Sequence, residues 1–443
     1  MTQPLQRGNA GAQHAGRAAS ARLVMKFGGT SVADVERIER VARHVAAEVA
    51  RGRRVCVTVS AMAGETNRLV ALTEAAGGGD VSRTPDYDAV VSSGEQVTAG
   101  LLALVLRRMG IEARSWQGWQ AGLRTDGTHG AAVIEGIDAD KVGAAMDGGE
   151  VAVISGFQGL SPQGRISTLG RGGSDTTAVA LAAALGAERC DIYTDVDGVY
   201  TTDPRIVEGA VRLDAISFEE MLEMASLGAK VLQTRSVGLG MTHDVPIRVL
   251  SSLEEPRDDA PCTLITREED IMERRVVSAV VPSRAEAKIS LLGVPNTPGK
   301  SAVIFARLAR AKVNIDMIVQ SQARAGETAN VSFTLKEADL ARAMAALAEM
   351  KAEVGYTDVL ADQNVSKVSI VGVGMNDAEG IAARMFETLA VRGINISNIS
   401  TSEIKISVLI PAEYTELAVR ALHDAFRLGE VGRLGEVGTK ATA

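Results

Sequence analysis

Charged side chains lie beside two glycine-containing turns of the sequence. Lys26 ends an apolar run just before a Gly-Gly pair, and Arg171 and Asp175 lie in a second glycine-rich loop, Thr168–Asp175. Glycine lets backbone N–H groups approach a ligand closely, and a loop that leads into a helix suits an anion. An ordinary strand–helix connection is the alternative, but the charged residues favour a site that binds phosphate or carboxylate groups.

An acidic loop follows the next predicted strand. An Ala-rich helix over 176–185 separates the glycine-rich loop from the strand Cys190–Thr194, which runs into Asp195 and Asp197. In open α/β sheets, ligands bind beyond the carboxyl ends of the strands. The sequence therefore predicts that both loops border one site.

Composition excludes several classes of protein. The chain has 443 residues, of which 46% are hydrophobic, 23% charged and 3% aromatic, with a net charge of −8. This balance does not favour nucleic acid or an anionic membrane. The three cysteines, Cys56, Cys190 and Cys262, are far apart and predict free buried thiols in a reducing cytoplasm. No apolar run appears long enough to cross a bilayer, and the scattered histidines predict no metal-ligand residues.

Hydrophobic periodicity predicts a domain with alternating strands and helices. Residues 1–21 are predicted to be a disordered tail, and 22–250 an α/β domain with a mainly parallel sheet sandwiched by helices. One helix is expected from about residue 90 to Met109, and another over Phe218–Lys230.

An internal repeat follows a charged, Pro-bounded segment, 251–284, which is predicted to be a linker. The stretch Lys288–Gly293 matches Lys367–Gly372, and the spacing of later residues recurs. Each copy, 285–362 and 363–443, predicts strand, helix, strand, strand, helix, strand. This order is typical of a ferredoxin-like βαββαβ unit.

Taken together, these motifs resemble the aspartate kinases of the amino-acid kinase superfamily, which carry two C-terminal ACT domains. The matching motifs are Lys26–Ser31, Ser60–Met62, Ser93–Glu95 and Thr168–Pro204. The resemblance implies transfer of the γ-phosphate of ATP, with Mg²⁺, to the β-carboxylate of L-aspartate. The product would be 4-phospho-L-aspartate, at the start of lysine, threonine and methionine biosynthesis.

The resemblance also implies roles for individual residues. Lys26 would hold the transferring phosphate, and Asp175 would organise the phosphate-binding groups. Glu95 would receive the substrate ammonium and Arg171 its α-carboxylate, with Ser60, Thr66 and Ser174 lining the pocket. The remaining nucleotide contacts would come from Gly28, Gly29, Thr194, Asp195, Tyr200, Arg205 and Lys230.

The ACT pair would bind an end-product amino acid, threonine or lysine or both, and join copies of the chain into a homo-oligomer. The positions that match the effector site are Ser301, Asp316, Gln320, Asn395 and Ile396. The identity of the effector, and dimer against tetramer, stay open.

A kinase mechanism agrees with the residue types. A free aspartate side chain has a pKa of about 3.9, so the nucleophile is already ionised and needs no general base. Cationic and N–H-rich groups must instead bring two anions together. The alternatives are glutamate 5-kinase or uridylate kinase, or a non-catalytic amino-acid sensor on the same fold. The presence of Lys26, Glu95 and Asp175 favours catalysis.

Overall fold

The computed structural model describes residues 21–229, 231–271, 275–322, 326–375 and 378–430. The described chain forms two compact units. The first comprises residues 21–199 and 212–271, and the second comprises 200–211 and 275–430. The predicted N-terminal tail, apart from residue 21, and Lys230 lie outside the described residues.

The first unit is an α/β structure. Its strands are β1 (Arg22–Phe27), β2 (Arg54–Val59), β3 (Ala113–Trp116), β4 (Leu123–Thr125), β5 (Ile134–Ile137), β6 (Val151–Ser155), β7 (Gln158–Leu160), β8 (Ile166–Thr168), β9 (Arg189–Thr194), β10 (Ala215–Ser217), β11 (Ile247–Ser251) and β12 (Cys262–Thr266). Its helices are α1 (Val35–Ala50), α2 (Glu65–Gly77), α3 (Pro85–Val91), α4 (Ser93–Arg108), α5 (Asp140–Asp147), α6 (Gly173–Leu185), α7 (Phe218–Leu227) and α8 (Thr234–His243).

The main sheet has the strand order β10-β12-β11-β9-β1-β2-β6-β3. Its neighbours pair in parallel except β11 and β12, so the predicted mainly parallel sheet is confirmed. The central strands are almost continuously apolar and buried, as parallel strands covered on both faces are. A smaller sheet has the order β5-β4-β7-β8.

Alternation along β1 divides its side chains between two layers. Leu23, Met25 and Phe27 belong to the core that contains α1 and α4. Because successive side chains of a strand point to opposite faces, Lys26 lies on the other face, where α6 packs against β1. Helix α6 is buried along nearly its whole length, which its small side chains permit.

Two predicted helices have different bounds in the structure. The helix expected over Phe218–Lys230 ends at Leu227, because Gly228 adopts a left-handed φ of 107° that terminates it. Helix α8 follows it and was not predicted. The helix expected from about residue 90 is preceded by α3, whose N-cap Thr84 accepts a 3.3 Å hydrogen bond from the Tyr87 N–H.

Helices α3 and α4 form one helical stretch, Pro85–Arg108, of 24 residues, and an 18-residue window within it has a mean hydropathy of 1.5. By length and composition it could span a membrane, so the expectation that no run is long enough is wrong for this stretch. However, 56% of its apolar window is buried, and α4 packs against α1 and β3. This packing is that of a core helix.

The second unit contains the internal repeat. Its strands are β13 (Ala279–Pro295), β14 (Ile315–Gln322), β15 (Thr328–Lys336), β16 (Asp358–Val371), β17 (Asn398–Thr401) and β18 (Lys405–Pro411). Its helices are α9 (Lys300–Arg310), α10 (Leu340–Val354), α11 (Ile381–Val391) and α12 (Thr415–Ala425). One sheet with the order β14-β15-β13-β16-β18-β17 joins both copies.

The two long strands are shared between the copies. Residues 279–283 of β13 pair with 367–371 of β16, which places them as the fourth strand of the second copy. The later part of β13 pairs with β15 and begins the first copy. The predicted linker, 251–284, therefore differs from the structure, since it contains β12 of the first unit's sheet and this fourth strand.

A buried carboxylate supports the sheet of the first unit. Asp191 on β9 is fully buried and accepts hydrogen bonds from the Arg189 Nε at 2.9 Å and the Arg248 Nε at 2.8 Å. The bidentate geometry satisfies the charge in a dry layer. Removing one member of such a group leaves the other charges unpaired.

We expect Asp191→Asn to lower the free energy of unfolding by about 3 kcal/mol, because the guanidinium of Arg248 loses its counter-charge and that of Arg189 loses the buried one of its two carboxylate partners. The exposed pair of Arg22 and Asp147 gives the control, and Asp147→Asn should cost less than about 1 kcal/mol. Urea unfolding of the two variants measures both values. Equal destabilisation would contradict the structural role of Asp191.

Candidate active site

A cavity of ≈ 340 Å³ opens at the carboxyl ends of β1 and β2, beside the N-terminus of α6. It brings together eight of the residues predicted from sequence: Lys26, Gly29, Ser60, Thr66, Glu95, Arg171, Ser174 and Asp175. These residues come from distant parts of the chain. They meet because parallel strands place their carboxyl ends at one edge.

Lys26 and Asp175 form an ion pair within the cavity. Their side chains are only 10% and 12% exposed. Asp175 lies in the first turn of α6, where a negative charge is favourable. The pairing fixes the ammonium of Lys26 beside the N-terminus of α6. An anionic ligand bound there would contact both the cation and the N–H groups of the helix N-terminus.

Glu95 supplies a buried carboxylate to the cavity from the first turn of α4. One oxygen accepts a hydrogen bond of 3.0 Å from the Ala61 N–H, while the other is buried without a hydrogen-bond partner. Burial raises the pKa of Glu95 to about 7, and the Ala61 hydrogen bond opposes that rise. A cationic ligand group would satisfy the unpartnered oxygen and favour the ionised form.

Arg171 lies at the tip of the glycine-rich loop and lines the same cavity. No residue in the described part of the chain accepts a hydrogen bond from its guanidinium or forms an ion pair with it, so it is available to a ligand carboxylate. Gly172 beside it has a φ of 71°, and a Cβ there would lie 2.1 Å from the Cγ of Gln233. Glycine is therefore required to hold Arg171 in this position.

The residues predicted to contact nucleotide divide between the two units. Phe27 and Tyr193 are paired in register, which sets Gly28 beside the end of β9 and thus near Thr194 and Asp195. A Cβ on Gly28 would lie 3.3 Å from the Lys26 Nζ. The other predicted contacts, Tyr200 and Arg205, belong to the second unit, and Arg205 is exposed and paired with Asp203. Their nucleotide role stays a prediction.

Two residues that shape the site, Phe157 and Arg235, were not predicted. Phe157 lines the cavity with a left-handed φ of 70°, held by hydrogen bonds of its N–H to the Thr177 Oγ1 and of its carbonyl to the Leu169 N–H. Arg235 donates hydrogen bonds of 2.9 Å to the carbonyls of Leu169 and Ala132. Neither residue has a recognisable sequence signal, because each forms its hydrogen bonds with segments that are distant in sequence.

Only some of the predicted effector residues contact one another in the structure. Ser301 donates a hydrogen bond of 3.3 Å to Gln320, whereas Asp316 is paired with Lys367. Ile396 packs against the core of the second copy. Within the described ranges, no hydrogen bond or ion pair joins Asn395 or Ile396 to Ser301, Asp316 or Gln320. The effector site therefore stays a prediction.

Comparison with protein families defines the class to which this fold and site belong. Residues 21–251 match the model of the amino acid kinase family. Two further segments, 289–350 and 368–426, match an ACT domain model. These ranges correspond to the α/β unit and to the two copies of the repeat.

Comparison with individual proteins shows which members of the amino acid kinase family are similar to this chain. The chain is 50% identical over 417 residues to an aspartate kinase of Pseudomonas fluorescens, covering 94% of this chain and 100% of the relative. It is 51% identical over 418 residues to an aspartokinase of Pseudomonas aeruginosa, with the same coverage. The structure of E. coli aspartokinase III in complex with aspartate and ADP is 30% identical with a TM-score of 0.74, covering 91% of this chain and 99% of that one. The chain therefore belongs to the aspartate kinases.

This membership confirms the predicted family, fold class and enzyme class, a phosphotransferase with ACT domains.

The raised pKa of Glu95 predicts a stability that depends on pH. The ordinary pKa of 4.5 is raised to about 7 in the folded state, so the folded chain binds more protons between these values and loses stability as pH rises through them. Glu95→Gln keeps an acceptor for the Ala61 N–H and removes the charge. The variant should be more stable than the wild type by up to about 3 kcal/mol at about pH 8, and by much less at about pH 5.

Urea unfolding of both proteins at the two pH values measures the difference. Glu39→Gln, at a more exposed pair with Arg108, is a matched control that should show no such gain at high pH. A Glu95→Gln variant less stable than the wild type at high pH would contradict the burial of an ionised carboxylate.

Proposed function

We propose that the cavity binds L-aspartate as a zwitterion, with its ammonium on Glu95 and its α-carboxylate on Arg171. The observation that supports this most directly is that the unsatisfied carboxylate oxygen of Glu95 and the guanidinium of Arg171 line one cavity with the Lys26–Asp175 ion pair. A guanidinium can hold a carboxylate with two hydrogen bonds, and a carboxylate can hold an ammonium. Ser60, Thr66 and Ser174 would contact the rest of the substrate.

The β-carboxylate of the substrate would then lie on the Lys26 side of the cavity and attack the γ-phosphorus of ATP. The bond between the γ-phosphorus and the β–γ bridging oxygen breaks, and ADP leaves with the electron pair. The nucleophile needs no proton removed, because a carboxylate is ionised at neutral pH. Lys26 would stabilise the charge that gathers on the transferring group, while Asp175 keeps its ammonium in place.

ATP would bind along the edge formed by Gly28, Gly29, Thr194 and Asp195, with contributions from Tyr200, Arg205 and Lys230. Mg²⁺ would be held chiefly by the nucleotide phosphates, as it usually is in kinases. The donor set of the protein fits this arrangement, since no group of three His, Cys, Asp or Glu side chains that could hold a metal occurs among the described residues. When bound, Mg²⁺ neutralises phosphate charge.

The second unit would regulate this reaction. An end-product amino acid, threonine or lysine or both, would bind near Ser301, Asp316 and Gln320, with Asn395 and Ile396 completing the site. A relative at 29% identity with a TM-score of 0.72 is E. coli aspartokinase III, whose structure is in complex with lysine and aspartate (T-state). We further propose a cytoplasmic homo-oligomer assembled through the ACT units.

Lys26→Met should lower kcat by about 100- to 1000-fold, because the transferring phosphoryl group loses its cationic partner. The assay follows ADP release and traps the acyl phosphate with hydroxylamine. The wild type should form hydroxamate with L-aspartate and much less with L-glutamate. Lys288→Met, in the second unit, is a control that should retain turnover.

Near-normal kcat in Lys26→Met would refute the role of Lys26. Hydroxamate with glutamate instead of aspartate would refute the substrate. Amino-acid binding with no turnover in the wild type would favour a sensor.

Arg171→Ala should raise the KM for L-aspartate by about 10- to 100-fold, which corresponds to the loss of a charged hydrogen-bonding partner. The KM for ATP should change little, because Arg171 is assigned to the amino acid. Arg165→Ala removes an arginine from the turn just before β8, where it pairs with exposed Asp86, and is the matched control. An unchanged KM for aspartate in Arg171→Ala would refute the assignment.

A further inference from the structure

The two charged groups proposed to bind the substrate, Glu95 and Arg171, lie on two separate segments of the chain. Glu95 lies on the helical stretch Pro85–Arg108. The stretch is continuous through Ser92, whose N–H donates a hydrogen bond of 3.0 Å to the Asp88 carbonyl. Asp88 thus lies about 10 Å, or two helical turns, before Glu95, and a shift of one carboxylate along the helix axis moves the other.

The second piece is β8 and the loop that follows it. Thr168 is the last residue of β8, and Arg171 lies three residues further on. Between them, Leu169 is fixed by the hydrogen bond of its N–H to the Phe157 carbonyl, 2.9 Å. The position of Arg171 therefore depends on the position of Thr168.

Asp88 joins the two pieces. It is fully buried, and its carboxylate accepts a hydrogen bond from the Thr168 hydroxyl. The same carboxylate accepts from the Gly130 N–H at 3.1 Å and lies 2.6 Å from the Nδ1 of His129. We call Asp88 and these three partners the Asp88 brace.

The brace also holds the backbone against the glycine-rich loop. The Ala132 N–H donates a hydrogen bond of 2.8 Å to the Thr168 carbonyl. The Gly130 carbonyl lies 3.3 Å from where a Cβ of Gly170 would be. Segment 129–132 thus supports the loop from behind, while Asp88 does not line the cavity.

We infer that Asp88 is a positioning residue that sets the distance between Glu95 and Arg171, and thereby selects amino acids whose ammonium and carboxylate share one carbon. This inference rests on the proposed roles of Glu95 and Arg171. A site built from fixed charges rejects a ligand whose charges have another spacing, because one buried group is then left unpaired. Loosening the brace removes that penalty.

The probe is 3-aminoglutarate, compared with L-aspartate. Its ammonium-bearing carbon carries the same CH₂–carboxylate arm that aspartate offers for phosphorylation. Its other carboxylate is one methylene further from the ammonium than the α-carboxylate of aspartate. The ratio of kcat/KM for the two compounds therefore reports the distance between Glu95 and Arg171. Hydroxylamine traps the acyl phosphate formed from either compound.

Thr168→Val removes the hydroxyl with little change in shape, and Thr168→Ser restores it. Asp88→Asn weakens the brace from the other side. Asp86→Asn, on the exposed face of the same helix, is the matched control. Thr168→Val and Asp88→Asn should raise the KM for aspartate by about 10- to 100-fold through misplacement. They should lower the preference for aspartate over 3-aminoglutarate, with the KM for ATP unchanged.

Thr168→Ser and Asp86→Asn should behave as the wild type. A merely structural role would lower the active fraction, and hence kcat for every substrate, without moving the preference ratio. An unchanged ratio and KM in Thr168→Val would overturn the inference. If Glu95→Gln and Arg171→Ala also leave the KM for aspartate unchanged, the proposed function itself fails. If they raise it while Thr168→Val does not, only the brace fails.

Discussion

The ion pair between Lys26 and Asp175 is the constraint on which the first unit is built. Both side chains are almost completely buried, and a buried charge is tolerated only when its partner is held in place. Strand β1 must therefore be fixed between β2 and β9, and α6 must begin at the end of the glycine-rich loop. The remaining elements of the unit keep these two pieces in register.

Buried charges in this unit are of two kinds, and the difference separates structure from function. Asp191 and Asp88 have their acceptor oxygens engaged by several donors, and they hold the fold together. Glu95 keeps one oxygen without a partner, and its pKa is raised to about 7 by burial. An unsatisfied buried carboxylate costs stability. A ligand ammonium would remove that cost, so part of the free energy of binding would come from satisfying this carboxylate.

The second unit depends on a different feature: two long strands, β13 and β16, each belong to both copies of the repeat. Because β13 and β16 each cross from one copy to the other, the copies form one continuous sheet. Lys367, which is buried in β16, pairs with Asp316 and lies 3.7 Å from Glu286. The two copies are thus connected through backbone pairing as well as side chains, which suits a regulatory pair of domains.

The alternation of strands and helices, the repeat, and the residue types of the site are all visible in the sequence. Apolar runs and glycine turns are local signals, so β1, β2, β6, β9 and the loop before α6 could be recognised, and motif resemblance supplied the proposed roles of Lys26, Glu95 and Arg171. Features that depend on pairing between distant segments became apparent only in the folded chain. Residues 279–283 look like linker because their partner strand lies about ninety residues away in sequence. For the same reason Asp88, Phe157 and Arg235 carry no local signal: each acts on backbone that only folding brings beside it.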